Sequence, residues 1–412
     1  MARSSDYCYA FLALNYLTMT TNSQYLSEVL CKLASFRENL GISPEEVEDQ
    51  LMIGRGWIKD IEDGVIHPSL DLISSILSIY GKGLADLSSD STLSVPRIKR
   101  SISAYHDTSP DDLAILFDYG VHDARYLLSG ALEEQFNDVV NVLRNGLASL
   151  SKVSISSEEE KAIKSASVAS SFLRAVSIWQ HANPSDIWWF VIYRLYCDQY
   201  NHPSLCSKLD FQQSWKRTGG WALEQILVYH YQEFLAKNGV RIFIGTTQEK
   251  DLLLKSINSE GRLESDKADV LLTYFDDNNY EHFAGVVHVK ASFAERRTDD
   301  VPMSKSLSDA GFLSPLWTMD CKSTPSARPM NRGELGKVYN GSGTDERSAK
   351  RKDIEEDGFF TGCFSYNSNT LETPEHFPAK SRIYRCNFTN PDDSFSRHIL
   401  DWCHRAKTKK VL

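Results

Sequence analysis

The feature that most constrains the fold is a series of short apolar segments in the second half of the chain, each bounded by polar residues or glycine. The predicted strands are 240–244, 267–274, 283–290, 316–321 and 383–388. The polar run 276–280 predicts a turn between the second and third strands. Helices are predicted over 221–237, 248–257 and 395–404. This order predicts an α/β domain over 211–412, with a small mixed central sheet flanked by helices.

Three charged side chains of this region are expected to meet in one cleft. Period-two alternation places Lys290 on the same strand face as Val286 and His288. A hairpin brings Lys290 close to Asp269, and Glu224 approaches from the preceding helix. Carboxylate oxygens are ligands that Mg²⁺ prefers, and the bound ion can activate water for phosphodiester hydrolysis. A lysine beside the ion can orient that water and stabilise the developing negative charge.

This order of residues resembles the PD-(D/E)xK nuclease superfamily, and more specifically its type II restriction endonucleases, across 211–412. The matching residues are Glu224 in a helix, Asp269 in a strand and the H-V-K sequence at 288–290. The resemblance implies a catalytic site made of Asp269, Lys290, Glu224 and His288. It also implies that Asp269, Glu224 and the carbonyl group of Val289 hold Mg²⁺.

The segment that starts at Lys290, KASFAERRTDDVPMSKSL, is similar to the K-x-S-x-x-E-R segment of BsaWI-like and other CCGG-recognising enzymes. In such enzymes the segment leads into a helix that reads bases or positions phosphates. The DNA contacts that this implies are Arg296, Arg297, Asp299, Asp300 and Lys305. Arginine pairs with guanine and a carboxylate accepts from cytosine, so we expect G·C pairs in the target.

One position departs from the superfamily pattern. The residue two before Lys290 is usually Glu or Asp, and it is His288 here. A histidine cannot supply the second carboxylate, which leaves Glu224 or Glu295 for that role and leaves an altered or inactive nuclease open. An ordinary sheet with a solvated Lys290 is the structural alternative. Rival positions are Asp266 and the D-C-K sequence at 320–322.

The first ninety residues have a different pattern. We predict four short helices between residues 27 and 87, including one over 55–62. Ser43 followed by Glu46 predicts a capping box at the start of the second helix. Six basic and thirteen acidic residues in this region account for most of the formal net charge of −10.

The segment KLASFRENLGISPEEVEDQLMIGRGWIKDIEDG and its continuation to 87 resemble the Cro/C1-type (XRE) helix-turn-helix domains. The resemblance implies that Arg55, Trp57 and Lys59, at the start of the third helix, contact DNA. Met52 stands where the family usually has Gly, and the acidic residues Asp60 and Asp63 oppose a phosphate-facing role. A small helical module for protein contacts or dimerisation is the alternative.

Residues 91–210 are predicted to be a Ser-rich linker, 91–110, followed by a helical region. The aromatic stripe at 187–200 is interpreted as buried core. Residues 322–358 are interpreted as either a flexible surface loop or a DNA-wrapping loop. The basic residues of that loop are Arg328, Arg332, Lys337 and the run 350–352. The domain prediction is therefore 1–90, 91–210 and 211–412.

Composition excludes several classes of protein. With 42% hydrophobic and 24% charged residues, the chain is neither mostly disordered, nor a collagen, nor a coiled-coil rod. The eight cysteines contain no CxxC pair, which argues against zinc and indicates reduced thiols of a cytoplasmic protein. No apolar run reaches the roughly 18 residues that a membrane span needs.

Taken together, the sequence predicts a Mg²⁺-dependent type II restriction endonuclease without an organic cofactor. Its expected partner is double-stranded DNA, and a palindromic target favours a homodimer. Two alternatives stay open. One is an XRE-family transcription regulator with a C-terminal sensing domain, and the other is a catalytically inactive nuclease-like DNA-binding protein.

Overall fold

A computed structural model divides the chain into two compact units, Met1–Lys99 and Arg100–Leu412, which are described separately. The residues that the structure describes are 23–63, 65–66, 68–87, 102–106, 112–119, 122–151, 155–198, 201–203, 211–255, 257, 263–292, 297–322, 328–339 and 344–410. Within these ranges, no helix is both long enough and apolar enough to cross a membrane.

The N-terminal unit is a small bundle of helices around its own core. Its helices are α1 (Ser23–Asn39), α2 (Pro44–Leu51), α3 (Trp57–Glu62) and α4 (Leu70–Ile79), followed by a 3₁₀ turn, Leu84–Leu87. Its buried residues are Leu30, Leu33, Val47, Ile58, Ile61, Ile73, Ile76, Leu77, Tyr80 and Leu84. The apolar positions at helical spacing thus form one core.

The capping box is confirmed, and the start of the third helix is corrected. Ser43 Oγ accepts the Glu46 N–H, and Glu46 Oε2 accepts the Ser43 N–H at 2.7 Å. Met52 ends α2 in the left-handed region at φ 54°, where glycine carries no steric cost. The third helix begins at Trp57 rather than at residue 55, because Gly56 has φ 84° and cannot continue a right-handed helix backwards.

The larger unit contains two sheets. The first is antiparallel and consists of β1 (Ile102–His106), β2 (Asp112–Tyr119) and β3 (His122–Ser129). The second has six strands in the order β4 (Val240–Phe243), β5 (Val270–Phe275), β6 (Glu281–Lys290), β7 (Leu316–Thr318), β8 (Cys363–Ser365) and β9 (Ile383–Arg385). Strands β4 to β6 pair antiparallel, whereas β6 to β9 pair parallel. The predicted mixed α/β sheet is confirmed.

The helices of this unit flank both sheets. They are α5 (Glu133–Leu147), α6 (Ser157–Ile178), α7 (Phe211–Lys237), α8 (Thr247–Lys255), α9 (Arg297–Asp309), α10 (Ala349–Lys352) and α11 (Ser394–Lys410). A further helical segment, 184–197, contains a π-helical stretch, Ile187–Ile192. It carries the aromatic stripe, of which Trp188, Phe190 and Tyr196 are buried, so the interpretation of that stripe as core is confirmed.

The predicted helical character of the middle region is wrong at its beginning. Strand β1 lies inside the predicted linker, and β2 and β3 occupy the start of the predicted helical region. Buried residues at 113, 115 and 117 of β2 face the core, but residues 114 and 116 are apolar as well. The spacing of apolar residues in such a run does not distinguish a strand from a helix. The segment is a strand because it pairs with β1 and β3.

Helix α7 also differs from the prediction, because it begins at Phe211 and runs through Gly219 and Gly220. Gly219 lies against the indole of Trp215, which is 7% exposed and belongs to the core. That core is continuous from β1 to α11 and contains residues from both the predicted middle region, 91–210, and the predicted nuclease domain, 211–412. The three-stranded sheet, α5, α6 and the six-stranded sheet therefore pack as one body.

Candidate active site

Lys290 is the last residue of β6, an inner strand of the six-stranded sheet. It is the centre of a charged cluster at that end of the strand. Residues 284–290 are buried between the neighbouring strands β5 and β7, and Lys290 is only 8% exposed. Its Nζ lies 2.8 Å from Asp269 Oδ2 and 3.4 Å from Asp300 Oδ2. One buried ammonium group therefore faces two carboxylates.

Asp269 is held by the hairpin that the sequence predicted. It directly precedes β5, whose first residue, Val270, pairs with Val287 of β6. Asp269 Oδ2 accepts the backbone N–H of Val289 at 2.8 Å, in addition to the Lys290 ammonium group. In a strand the N–H and C=O of one residue point to the same side, so the Val289 carbonyl group also faces this side of β6. The Val289 side chain is buried in the core.

Glu224 reaches the same cluster from α7. Burial, and next the negative charge of Asp269, raise the pKa of Glu224 to about 7, and Lys290 is among the cations that oppose this rise. The structure thus brings together Glu224 from α7, Asp269 from the position before β5 and Lys290 from the end of β6. Each was singled out from the sequence by residue type and by its position along the predicted elements.

Asp300 lies in this cluster rather than on a DNA-facing surface. It is 2% exposed in the first turn of α9, with Oδ2 near Lys290 and Oδ1 3.9 Å from His288 Nδ1. A side chain at this depth cannot accept a hydrogen bond from a base edge, which corrects the sequence-based role of Asp300. The missed signal was an acidic residue ten positions after Lys290, on a helix that folds back over β6.

His288 is fully buried and does not line the cleft. Its Nε2 lies 2.9 Å from Ser314 Oγ, and its ring packs edge-on against Phe360. Burial lowers the pKa of His288 to about 4, so the imidazole is neutral near pH 7. A neutral, enclosed imidazole cannot touch a substrate.

The structure separates the predicted DNA-contacting residues into several groups. Arg296 lies outside the described residues, and Arg297 and Asp299 lie in the first turn of α9, where only the backbone is described. Lys305 is exposed and pairs with Asp309, one turn later on α9. Lys305 is therefore engaged away from the carboxylate cluster.

Arg328 and Arg332 are exposed on a loop that buried side chains hold in place. Asn331, at 1% exposure, donates from Nδ2 to Ser185 Oγ at 2.7 Å and to Asp186 Oδ1 at 2.9 Å. The loop that carries the two arginines is therefore anchored to the 184–197 segment, and the guanidinium groups face outward.

The run 350–352 has structural partners instead of a free basic surface. Arg351 is buried and donates to Glu355 Oε1 at 2.7 Å, and Lys352 pairs with Asp345. Lys350 and Lys337 pair with Glu334 and Glu346. Most basic side chains of this stretch are thus paired within the protein. This favours a surface loop over a DNA-wrapping loop for 322–358.

The rival positions do not form a catalytic cluster in the described part of the chain. Asp266 is exposed in a short 3₁₀ turn. Asp320 is buried, and its carboxylate accepts the Leu335 N–H and the Thr370 hydroxyl at 3.2 Å and 2.6 Å. Asp320 therefore holds residues 334 and 335 of the 328–339 loop in place, while Lys322 is exposed.

In the N-terminal unit, the three candidate DNA contacts are exposed, but Arg55 already has acidic partners. Its guanidinium group lies 2.7 Å from Asp49 Oδ1 and donates to the Glu45 carbonyl oxygen at 2.9 Å. Trp57 is 45% exposed, and Lys59 is exposed on the same short helix.

The chain is similar in sequence and in fold to known restriction enzymes. The chain is 35% identical over 240 residues to the type II restriction enzyme AgeI of Thalassovita gelatinovora, which covers 57% of this chain and 82% of the relative. The crystal structure of the specific AgeI–DNA complex matches with a TM-score of 0.59 and 32% identity, over 70% of this chain and 99% of that one. The pre-specific BsaWI–DNA complex aligns at a TM-score of 0.32 and 15% identity, over 66% of this chain and 94% of that one. No family model matches the chain.

The mixed sheet, its charged cluster and the similarity to AgeI define the class of protein as a site-specific deoxyribonuclease. The chain belongs to the family of type II restriction enzymes that includes AgeI.

Proposed function

We propose that this enzyme hydrolyses phosphodiester bonds at a specific sequence of double-stranded DNA in a Mg²⁺-dependent reaction. The observation that carries the proposal is the position of Lys290 Nζ between Asp269 and Asp300 at the end of β6. The matching structure of AgeI is a complex with DNA, which supports DNA as the substrate of this chain.

The side chains of the cluster fit a hard divalent cation. Asp269, Asp300 and Glu224 supply carboxylate oxygens, the donors that Mg²⁺ prefers. Among the described residues, no three acidic, histidine or cysteine side chains lie so that they could hold a metal ion by themselves. Mg²⁺ is usually held by one or two carboxylates together with water and substrate phosphate, so the site would need the DNA to complete it.

In this proposal Asp269 and Asp300 hold Mg²⁺, and Glu224 and the Val289 carbonyl group complete the protein's share of the site. The ion supplies activation of water and neutralises charge on the phosphate. Lys290 orients the attacking water and stabilises the negative charge that develops on the phosphoryl oxygens. The arrangement corresponds to a PD-(D/E)xK site in which Asp300, from α9, provides the carboxylate that position 288 lacks.

Two further assignments belong to the same proposal. The N-terminal unit is a Cro/C1-type helix-turn-helix domain, which the short helices, the capping box and the tight turn before α3 support. The enzyme acts as a homodimer, because two equivalent active sites can cut the two strands of a palindromic target symmetrically.

The test is cleavage of long unmethylated DNA with Mg²⁺ by matched variants. We expect discrete fragments from the natural enzyme and a loss of at least about 100-fold in the cleavage rate for Lys290→Ala and Asp300→Asn. Asp309→Asn is the control, since Asp309 lies on the same helix in an exposed pair with Lys305 and contributes little.

Intact DNA with every divalent metal, in the presence of a suitable site, would contradict the proposal and favour an inactive nuclease-like binder or an XRE-family regulator. Full activity of Asp300→Asn would remove Asp300 from the site and leave Glu224 as the second carboxylate.

A further inference from the structure

His288 occupies the position where a nuclease of this superfamily usually has a carboxylate, and its two ring nitrogens have different surroundings. Nε2 lies 2.9 Å from Ser314 Oγ. Nδ1 has no hydrogen-bond partner among the described atoms, and it faces Asp300 Oδ1 at 3.9 Å. One ring nitrogen is thus fixed and the other points at a carboxylate of the proposed metal site.

The alternation of β6 explains why these groups meet. His288 and Lys290 are two residues apart and lie on the same strand face, which the first turn of α9 covers with Asp300. Lys290 Nζ approaches Oδ2 of Asp300, whereas His288 Nδ1 approaches Oδ1. Lys290 and His288 therefore face different oxygens of the Asp300 carboxylate.

The contact at Nε2 is compatible with the imidazole tautomer that carries its proton on Nδ1. The backbone groups of Ser314 are engaged elsewhere, since its N–H donates to Thr361 Oγ1 and its carbonyl oxygen accepts from Ser304 Oγ. The Ser314 hydroxyl can donate to Nε2, and a neutral imidazole that accepts at Nε2 carries its proton on Nδ1. That N–H points toward Asp300.

We propose that His288 is a positioning residue, whose Nδ1–H donates to Asp300 Oδ1 and fixes the orientation of this carboxylate for the metal. The inference rests on the proposed function. Hydrogen bonds in substrate-free active sites are often long and tighten in the complex, and 3.9 Å is within reach of a small rotation of the Asp300 side chain. Groups that orient a metal ligand typically affect metal affinity or activity by about 10- to 100-fold.

Two amide substitutions separate the two ring nitrogens. Asn places its side-chain NH₂ near the position of Nδ1, and Gln places its own near the position of Nε2. His288→Asn therefore keeps the donor toward Asp300, whereas His288→Gln keeps a partner for Ser314. Both variants introduce a neutral amide into the same buried site, so each is the control for the other.

Two measurements are made on the full-length variants: the single-turnover cleavage rate as a function of Mg²⁺ concentration, and the rise in melting temperature on adding Mg²⁺ without DNA. For His288→Gln we expect either a cleavage rate that is lower by about 10-fold or more, or a required Mg²⁺ concentration that is higher by about 10-fold or more. We also expect a smaller rise in melting temperature on adding Mg²⁺. His288→Asn keeps most of both.

Equal behaviour of the two variants in both measurements overturns the proposal. The same holds if His288→Gln lowers the melting temperature without metal and leaves the Mg²⁺-dependent rise unchanged, because that result describes a purely structural role. Should either variant fail to fold, Ser314→Ala is used in its place, because it removes the hydroxyl that contacts Nε2. The proposal expects a smaller rise in melting temperature on adding Mg²⁺ for Ser314→Ala, and an unchanged rise contradicts it. Lys290→Ala, run alongside, tests the proposed function itself, since its activity does not depend on the role of His288.

Discussion

Glu224 shows how the crowding of carboxylates changes the chemistry of a single residue. Burial and the nearby charge of Asp269 raise the pKa of Glu224 from 4.5 to about 7, so that the folded protein favours the neutral acid. A metal ion would favour the charged form instead. Without metal, the cluster therefore carries a proton that the unfolded chain releases at a lower pH.

This leads to a prediction about stability in EDTA. Between pH 4.5 and 7 the folded state binds one more proton than the unfolded state, so the contribution of Glu224 is fully present below pH 4.5 and is lost as the pH rises through 7. Relative to Glu224→Gln, the natural protein should lose about 1–3 kcal/mol between pH 5 and pH 8 in urea unfolding.

Glu233→Gln is the matched control for this experiment. Glu233 lies on the same helix, is exposed and pairs with Lys237, which lowers its pKa and moves its titration below this pH range. Parallel stability curves for the natural protein and Glu224→Gln between pH 5 and 8 would show that the carboxyl group is not protonated in the folded state.

At the scale of single elements, β6 depends on a close backbone approach. A Cβ atom at Gly285 would lie 2.0 Å from the Leu313 carbonyl oxygen, which accepts the Val286 N–H at 3.0 Å. The segment that leads into β7 can therefore pair with β6 only where position 285 has no side chain. This pairing sets the strand that ends in Lys290.

We predict that Gly285→Ala lowers the free energy of unfolding by about 1–3 kcal/mol, because the strand and the 313 segment must move apart. Gly220→Ala is the control: Gly220 is exposed within α7, and a Cβ there meets nothing within 4 Å. That variant should gain about 0.5–1 kcal/mol from the better helix propensity of Ala. Equal effects in urea unfolding would show that the Leu313 contact is not tight.

The sequence predicted those elements whose period and boundaries are locally encoded. The hairpin around 276–280 and the strands on either side of it were recognised, and they carry Asp269 and Lys290. The strands β1 to β3 were missed because their apolar runs have no distinct period. Asp300 was assigned to DNA contact because the fold of α9 back over β6 depends on tertiary packing, which leaves no mark in the spacing of residues.

For the whole molecule, the distribution of charge and core suggests a division of labour. The N-terminal unit has its own apolar core, and its eight basic and thirteen acidic residues carry half of the formal net charge of −10. The AgeI chain matches 70% of this chain along 99% of its own length, so the unmatched share is large enough to hold the N-terminal unit. Arg55 already pairs with Asp49 there, which weakens the case for target reading by this unit.

We predict that deletion of residues 1–99 leaves the pattern of DNA fragments unchanged, and that the truncated enzyme binds its target as two chains per duplex by light scattering. Deletion of residues 1–210 is the control and should abolish cleavage, because it removes β1 to β3, α5 and α6 from the shared core. A new fragment pattern from the first truncation would assign target reading to the N-terminal unit.

The hydrogen bond from the Val289 N–H to Asp269 has a consequence for the cell that makes this enzyme. The carboxylate is seated by a backbone group of another strand, and its companions come from α7 and α9. In the cell, a copy in which β6, α7 and α9 have not yet packed together lacks this cluster. The charged centre thus forms only with the tertiary fold, and a partly folded copy is expected to have no nuclease activity.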